Sequence, residues 1–288
     1  MTPAPEKTGT SLPWNWIAAG WSALLLLVCY APVLRALATQ WNNDDDMSHG
    51  FFVPVIAAYI AWQKRGQLAA IEPAPNWWGL ALVAYGGLQL YIATVGAELF
   101  LARTAFVISL IGVVLFLWGA GYVRVLAFPL FLLFFMVPIP AIIYNSITFP
   151  LQLLASRAAD FALTLLQIPV LRRGNILELP QQTLSVVEAC SGIRSLLSLS
   201  FLALVYGYFF ERSVWVRVAL FLATVPIAIA ANASRVTLTG VLSEYKPEWA
   251  EGFFHSASGW VIFMVALAIL LVFHQVIEKT RGFFHGRR

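Results

Sequence analysis

Three residues in the last third of the sequence have the chemistry of an acyl-transfer site: Cys190, Arg235 and His255. A cysteine attacks only as thiolate, and an unperturbed thiol has a pKa of about 8.5. Cys190 sits in Glu188-Ala189-Cys190-Ser191-Gly192, directly before a long apolar run. A helix N-terminus there, with roughly half a positive charge, favours the thiolate, as would Arg235 or a protonated His255. Arginine keeps its charge at any accessible pH and can donate hydrogen bonds to a tetrahedral oxyanion. Histidine can hand a proton to the leaving amine. Such a set needs no metal, cofactor or second thiol. Each residue also has a structural alternative: an arginine at a helix end can snorkel to headgroups, and an interfacial histidine can be a satisfied structural one. Cys29, within an apolar run, reads as a small filler.

Other polar residues carry weaker signals. Arg194, one turn beyond Gly192, suits a structural or anion-positioning role, and Asn232 stands beside Arg235 in Asn232-Ala233-Ser234-Arg235. His49 follows the acidic run Asp44-Asp45-Asp46, but no partner histidines or cysteines stand at metal-ligand spacing. It is a second candidate proton donor. Gly50 after it predicts a tight turn. Pro138 and Pro140 predict a kinked helix. His274 and His285 are expected to be topology or surface residues.

The elements that must position these groups follow from composition. The chain has 288 residues, of which 60% are hydrophobic and 11% charged, with a mean hydropathy of +0.79. Soluble domains run nearer 45–50% apolar with about a quarter charged. A chain so poor in charge cannot cover its own surface in water, which excludes a soluble enzyme, a disordered tail and a nucleic-acid-binding domain. The net charge of +4 is not gathered into a basic patch, and two cysteines make no disulfide framework. No cleavable signal peptide is expected, because the first apolar run is too long. The predicted fold is an all-α polytopic integral membrane protein.

A spanning helix needs roughly 20 apolar residues. Spans are predicted at about 14–37, 51–63, 77–95, 100–119, 125–146, 193–210, 215–234 and 256–277, eight in all. They form one polytopic domain over 1–288, with the catalytic elements in 186–260 and tails at 1–13 and 278–288. Dividing the 18 Lys/Arg and 14 Asp/Glu by side puts ten basic and four acidic residues with both termini, and eight and ten on the other side. The positive-inside rule then makes both termini cytoplasmic. Segments 38–50, 147–192 and 235–255 face outward. Within 147–192, residues Pro150–Gln167 have the spacing of an interfacial amphipathic helix. Gly174-Asn175, Pro180 and the alternation over Thr183–Val187 predict a short hairpin leading to Cys190. Short connections make spans six, seven and eight neighbours. Cys190, Arg235 and His255 therefore fall at one boundary of the membrane, whichever way the chain is inserted.

The residues around these three carry a resemblance. Val187-Glu188-Ala189-Cys190-Ser191-Gly192-Ile193-Arg194-Ser195 resembles the active-site cysteine signature of the exosortase/archaeosortase family. Asn232-Ala233-Ser234-Arg235 is similar to its arginine motif, and His255 followed by Gly259 to its histidine motif. Ser48-His49-Gly50-Phe51 and Pro138-Ile139-Pro140 resemble two further landmarks, so the likeness runs from about Trp41 to Leu271. It implies a bacterial inner-membrane cysteine transpeptidase or peptidase with Cys190, Arg235 and His255 as the catalytic set, and Arg194, Asn232 and His49 in support. The implied partner is an exported protein with a C-terminal sorting signal, made of a Pro-Glu-Pro-like (PEP-CTERM) motif, a transmembrane helix and a basic tail. The chain would pass through a thioester to a nucleophile at the cell surface. No second domain is expected after Arg288, and on that expectation any separate processing step would need another protein.

Two other function classes compete. A transporter or flippase for exopolysaccharide export would place ionisable groups near mid-bilayer and break helices in paired positions. No internal repeat supports that, and the polar cluster lies at the boundary. A scaffold of an export complex would keep its function without the Cys190 thiol.

Overall fold

The computed structural model describes residues 12–186, 192–245 and 253–285. The chain divides into two compact units, residues 1–139 and 140–288.

In the first unit, helices α1 (Leu12–Asn43), α4 (Trp78–Val95) and α5 (Leu99–Trp118) are apolar on nearly every face. Helix α1 shows exposed Trp21, Leu24, Leu25, Leu27 and Val28, the surface of a helix meant for lipid. Lipid gives no hydrophobic drive for one helix to join another, so close packing and hydrogen bonds must hold them together. Helices α4 and α5 meet at small residues: a side chain on Gly79 would strike the α5 backbone at Phe116, and one on Gly86 would strike Ser109. At that crossing the Tyr30 hydroxyl of α1 lies 2.8 Å from Ser109 Oγ and 3.2 Å from the carbonyl oxygens of Gly86 and Ala105. One turn outward, Gln89 Nε2 donates to Leu101 O and Thr104 Oγ1, both at 2.9 Å.

After α1 the chain makes a 3₁₀ turn, Asp45–Phe51, capped by the Asp44 carboxylate accepting from the Asp46 amide. This is the tight turn expected at Gly50, which lies against the Trp41 indole with no room for a side chain. The turn leads into α2 (Phe52–Gln63), the short α3 (Arg65–Ala69) and, beyond α5, the short helices α6 (Ala120–Val125) and α7 (Ala127–Leu132). A second 3₁₀ turn, Leu133–Met136, closes the unit.

The second unit contains α8 (Ala141–Leu165), strands β1 (Leu171–Arg173), β2 (Ile176–Glu178) and β3 (Thr183–Ser185), then α9 (Gly192–Phe210), α10 (Val214–Tyr245) and α11 (Phe253–His285). The strands form an antiparallel sheet in the order β1-β2-β3. Two cores hold the unit. Leu199 and Ala203 of α9, Val216 and Leu220 of α10, and Ala266 and Leu270 of α11 pack as one buried cluster. This bears out the expectation that these three helices are neighbours. Ala155, Ala159 and Leu163 of α8, Leu177 and Leu184 of the sheet, Val186 just after it, and Ala233 and Val236 of α10 form the other.

Five of the described helices are long and apolar enough to cross a membrane: Ile17–Asn43, Trp78–Val95, Leu99–Trp118, Val214–Tyr245 and Gly259–Gly282. A sixth is added if Ala127–Met136 and Ala141–Leu165 make one broken span. The polytopic all-α class stands, while the expected count of eight is not reached. Helix α2 has 12 residues, and the apolar part of α9, Arg194–Phe210, also falls short.

The predicted fifth span and interfacial helix are redivided. The chain breaks at Pro138 and Pro140, which offer no amide hydrogen and restrict the residue before each, and one 25-residue helix then runs through Pro150. The predicted hairpin is present as β1, Gly174-Asn175 and β2, with β3 added. Helix α10 continues ten residues past Arg235, so that residue is not at a helix end. At 32 residues, α10 is about 48 Å long against a hydrocarbon core of roughly 30 Å. The excess C-terminal turns are those that α8 and the sheet cover.

His274 departs furthest from expectation. It is 4% exposed, 2.9 Å from the Tyr206 hydroxyl at Nδ1 and 3.4 Å from Glu211 Oε2 at Nε2. Glu211 accepts from the Ser213 amide at 2.7 Å and pairs with Arg281 at 3.3 Å, while Arg217 donates to its carbonyl oxygen. The α9–α10 turn is thus fastened to α11. The Ser213 amide in first place, then the His274 and Arg281 contacts, hold the Glu211 carboxyl below its usual range against the opposing effect of burial. A carboxylate with a lowered folded pKa gives stability above the unfolded value of about 4.3 and loses it as pH falls through the folded value. Thermal melts in detergent should therefore show Glu211→Gln destabilised at pH 7 by about 1–3 kcal/mol, with the gap from wild type closing below about pH 4. An equal gap at both pH values would remove the ionic contribution.

Candidate active site

Arg235 lies in α10 between Ala233 and Val236, both buried in the core shared with α8 and the sheet. It is itself half-buried, and Asn232, one turn earlier, is 7% exposed. The guanidinium lies flat against α11. A Cβ built on Gly259 would stand 3.2 Å from Arg235 Cζ and Nη2 and 3.3 Å from Nη1. Any larger residue at 259 would push the guanidinium aside. Position 255 is one turn, about 5.4 Å, before Gly259 and on the same face of α11. The α10–α11 packing thus brings Arg235 to the stretch of helix that carries His255.

The route into the thiol segment starts from the same core. Val186, fully buried beside Ala233 and Val236, is the last described residue before Cys190. Cys190 lies outside the described residues. Three residues separate it from Val186, four Cα steps and at most about 14 Å of extended chain. Two residues beyond it, Gly192 opens α9.

The supporting residues are distributed differently. Arg194 is exposed in the first turn of α9. His49 belongs to the first unit, where it is 7% exposed and its Nε2 lies 3.3 Å from the Phe135 carbonyl oxygen. Beside it, Trp41 Nε1 donates to the Met136 carbonyl at 3.0 Å. These two bonds tie the Asp45–Phe51 turn and the end of α1 to the Leu133–Met136 turn, a structural task for His49. Cys29 is exposed on α1.

One trio of metal-ligating side chains converges among the described residues: Glu211, His274 and Glu278, with ligand atoms within 4.8 Å of one another. Arg281 and Tyr206 already engage Glu211 and His274, so the cluster acts as a fastening between helices. Its residues occupy the α9–α10 turn and the later part of α11, whereas Arg235 lies against the beginning of α11.

Compared with known protein families, the sequence matches transmembrane exosortase over residues 41–272, most of its length. The chain belongs to the transmembrane exosortase family. Comparison with curated proteins and with solved structures gives no match. The matched stretch holds all the helices of the second unit except the last turns of α11. It also holds every residue singled out above for chemistry in this exosortase.

The Gly259 contact yields a test in which stability and activity move oppositely. A mid-helix glycine replaced by alanine gains up to about 1 kcal/mol of helix propensity. The new methyl group displaces the guanidinium by a few tenths of an ångström. Since a misplacement near 1 Å can cost about a hundredfold in rate, Gly259→Ala should melt no lower than wild type yet process substrate about tenfold more slowly. Unchanged turnover would mean that the seat of Arg235 is immaterial.

Proposed function

We propose that this exosortase is a thiol-dependent transpeptidase acting on exported proteins that end in a Pro-Glu-Pro-like motif, an apolar helix and a basic tail. The observation that supports it most is the Arg235 guanidinium seated on α11 one turn from position 255, with the chain leading to Cys190 leaving the same core. In this mechanism the Cys190 thiolate attacks the scissile carbonyl carbon. Arg235 donates hydrogen bonds to the oxyanion as the tetrahedral intermediate forms. The C–N bond breaks, His255 protonates the leaving amine, and the acyl chain remains on Cys190 as a thioester. A surface nucleophile then attacks the thioester carbonyl, yields its proton to the imidazole and expels the thiolate. Asn232 and Arg194 support the positive side of the site.

The proposed setting is a bacterial inner membrane, with both termini cytoplasmic and the site on the outer face. Cysteine labelling at positions 45 and 64, in a background lacking Cys29 and Cys190, should report opposite sides. Labelling of both from one side would overturn the orientation.

Co-expression with a reporter carrying a Pro-Glu-Pro-type tail should produce a smaller species on gels, dependent on the wild-type chain. Mass spectrometry of the new C-terminus distinguishes transfer, which adds the acceptor's mass, from hydrolysis, which adds only water. Identical reporter mobility with and without the exosortase would refute the proposal.

A further inference from the structure

Among the described residues, β3 of the sheet that precedes Cys190 has one edge without a paired strand, and its hydrogen-bonding direction can be worked out from the register. Val186 N donates to Asn175 O at 3.0 Å, and Leu179 N to Gln182 O at 2.9 Å. Both pairs lie in the register Ile176↔Ser185, Leu177↔Leu184, Glu178↔Thr183. Bonded pairs alternate along an antiparallel ladder, so Leu177↔Leu184 is bonded while Thr183 and Ser185 turn their amides and carbonyls away from β2. Two N–H and two C=O groups therefore line the outer edge of β3. Thr183 is exposed and Ser185 partly so. On β1, the other edge, only Arg172 turns its main-chain groups outward.

The rest of the sheet is held firmly. Ser156 Oγ donates to Gly174 O at 2.9 Å, Asn175 Nδ2 to Gln152 Oε1 at 3.4 Å, and Arg172 pairs with Asp160 at 3.6 Å, all fixing the β1–β2 hairpin to α8. Gln181 N donates to Glu244 Oε1 at 3.3 Å, fixing the β2–β3 turn to α10. Leu184 and Val186 are buried with Ala233 and Val236, on either side of Arg235 in sequence. The edge of β3 is thus a rigid one, packed in the core that flanks Arg235, and β3 ends at Ser185, five positions before Cys190 in sequence.

We propose that β3 is the substrate-docking strand: an extended segment of the exported polypeptide pairs with Thr183 and Ser185 as a fourth strand. This rests on the thiol-transpeptidase reading. The chemistry of the edge selects the occupant. Main-chain donors and acceptors repeating every two residues, about 6.8 Å, are matched by another extended backbone and not by a lipid headgroup or a compact ligand. Pairing of this kind tolerates sequence and leaves selectivity to alternate side chains. Because β3 ends five positions before Cys190 in sequence, a segment docked on it is brought close along the chain to the nucleophile.

The test uses the full-length protein in detergent and a synthetic Pro-Glu-Pro-type tail peptide, with capture measured by co-purification in a Cys190→Ala background. Single N-methylation along the peptide should weaken capture at least tenfold at alternate residues only, because every second amide faces β3. Loss at no position, or at consecutive positions alike, would overturn strand docking. Ser185→Pro removes an outward N–H and leaves the β2–β3 ladder bonds intact. It should lower capture at least tenfold, whereas Ser185→Ala, which keeps the N–H, lowers it far less. If the proline variant does not fold, the N-methyl scan on the otherwise wild-type chain decides alone. Capture with period-two sensitivity but no cleavage by the Cys190 protein would refute the thiol chemistry and leave strand docking standing.

Discussion

Replacing Cys190 with alanine or serine is expected to abolish maturation of a reporter bearing the sorting tail, a loss of at least about a thousandfold. Nucleophile deletions in enzymes of covalent mechanism are of this size or larger, because what remains comes only from binding and oxyanion stabilisation. Serine is no substitute: its hydroxyl is hardly ionised near neutral pH and is a far weaker nucleophile than a thiolate. Cys29 provides the internal control. It is exposed on the apolar helix α1, in the first unit, with none of the candidate catalytic residues on its helix. Cys29→Ala should process the reporter at a rate within twofold of wild type. Hydroxylamine-sensitive reporter adducts, the signature of a thioester, should form in the Cys29→Ala protein and be absent from Cys190→Ala. Normal maturation by the Cys190→Ala protein would sink the enzymatic reading altogether.

Arg235 and His255 are expected to fail in distinguishable ways. Loss of an oxyanion donor costs about a hundred- to a thousandfold in rate, and loss of a general acid about a hundred- to ten-thousandfold. Arg235→Ala should therefore leave essentially no turnover. Arg235→Lys keeps the charge but not the planar fork that lies against the Gly259 backbone, and should leave at most weak residual activity. His255→Ala should stop turnover while uncleaved substrate still co-purifies, because a proton donor acts after docking. Near wild-type cleavage by His255→Ala, with Arg235→Ala inactive, would return His255 to a structural role. The proton donor would then be sought at other histidines, His49 first, although its Nε2 is already engaged with Phe135 O.

Much of the site was legible in the sequence because membrane chains restrict where polar groups can go. In sequence a cysteine, an arginine and a histidine border apolar runs, where polar groups are costly, and the parity of short connections makes one boundary the expectation for all three. The Gly174-Asn175 hairpin was legible for a local reason, since a two-residue turn is written in its own residues. The proline break was also local, but its outcome was not. Pro138 and Pro140 ended a helix while Pro150 did not, because a 25-residue helix packed along the sheet and α10 outweighs one missing hydrogen bond.

The sequence by itself determined the membrane class, the apolar helices and the candidate trio, since composition and span periodicity depend on residues close together in the chain. Tertiary structure alone decided that α10 runs past Arg235, that its guanidinium rests on Gly259, that Thr183 and Ser185 of β3 turn their amides and carbonyls away from β2, and that His274 is buried with Glu211. Each of these depends on residues some 24 to 63 positions apart, or on a ladder register shared by two strands. Hydropathy cannot see such pairings, because a buried histidine bonded to a glutamate and an exposed one have the same local sequence. What distinguishes them is the free energy of satisfying polar groups out of water, and that is settled only when the partner arrives from another helix.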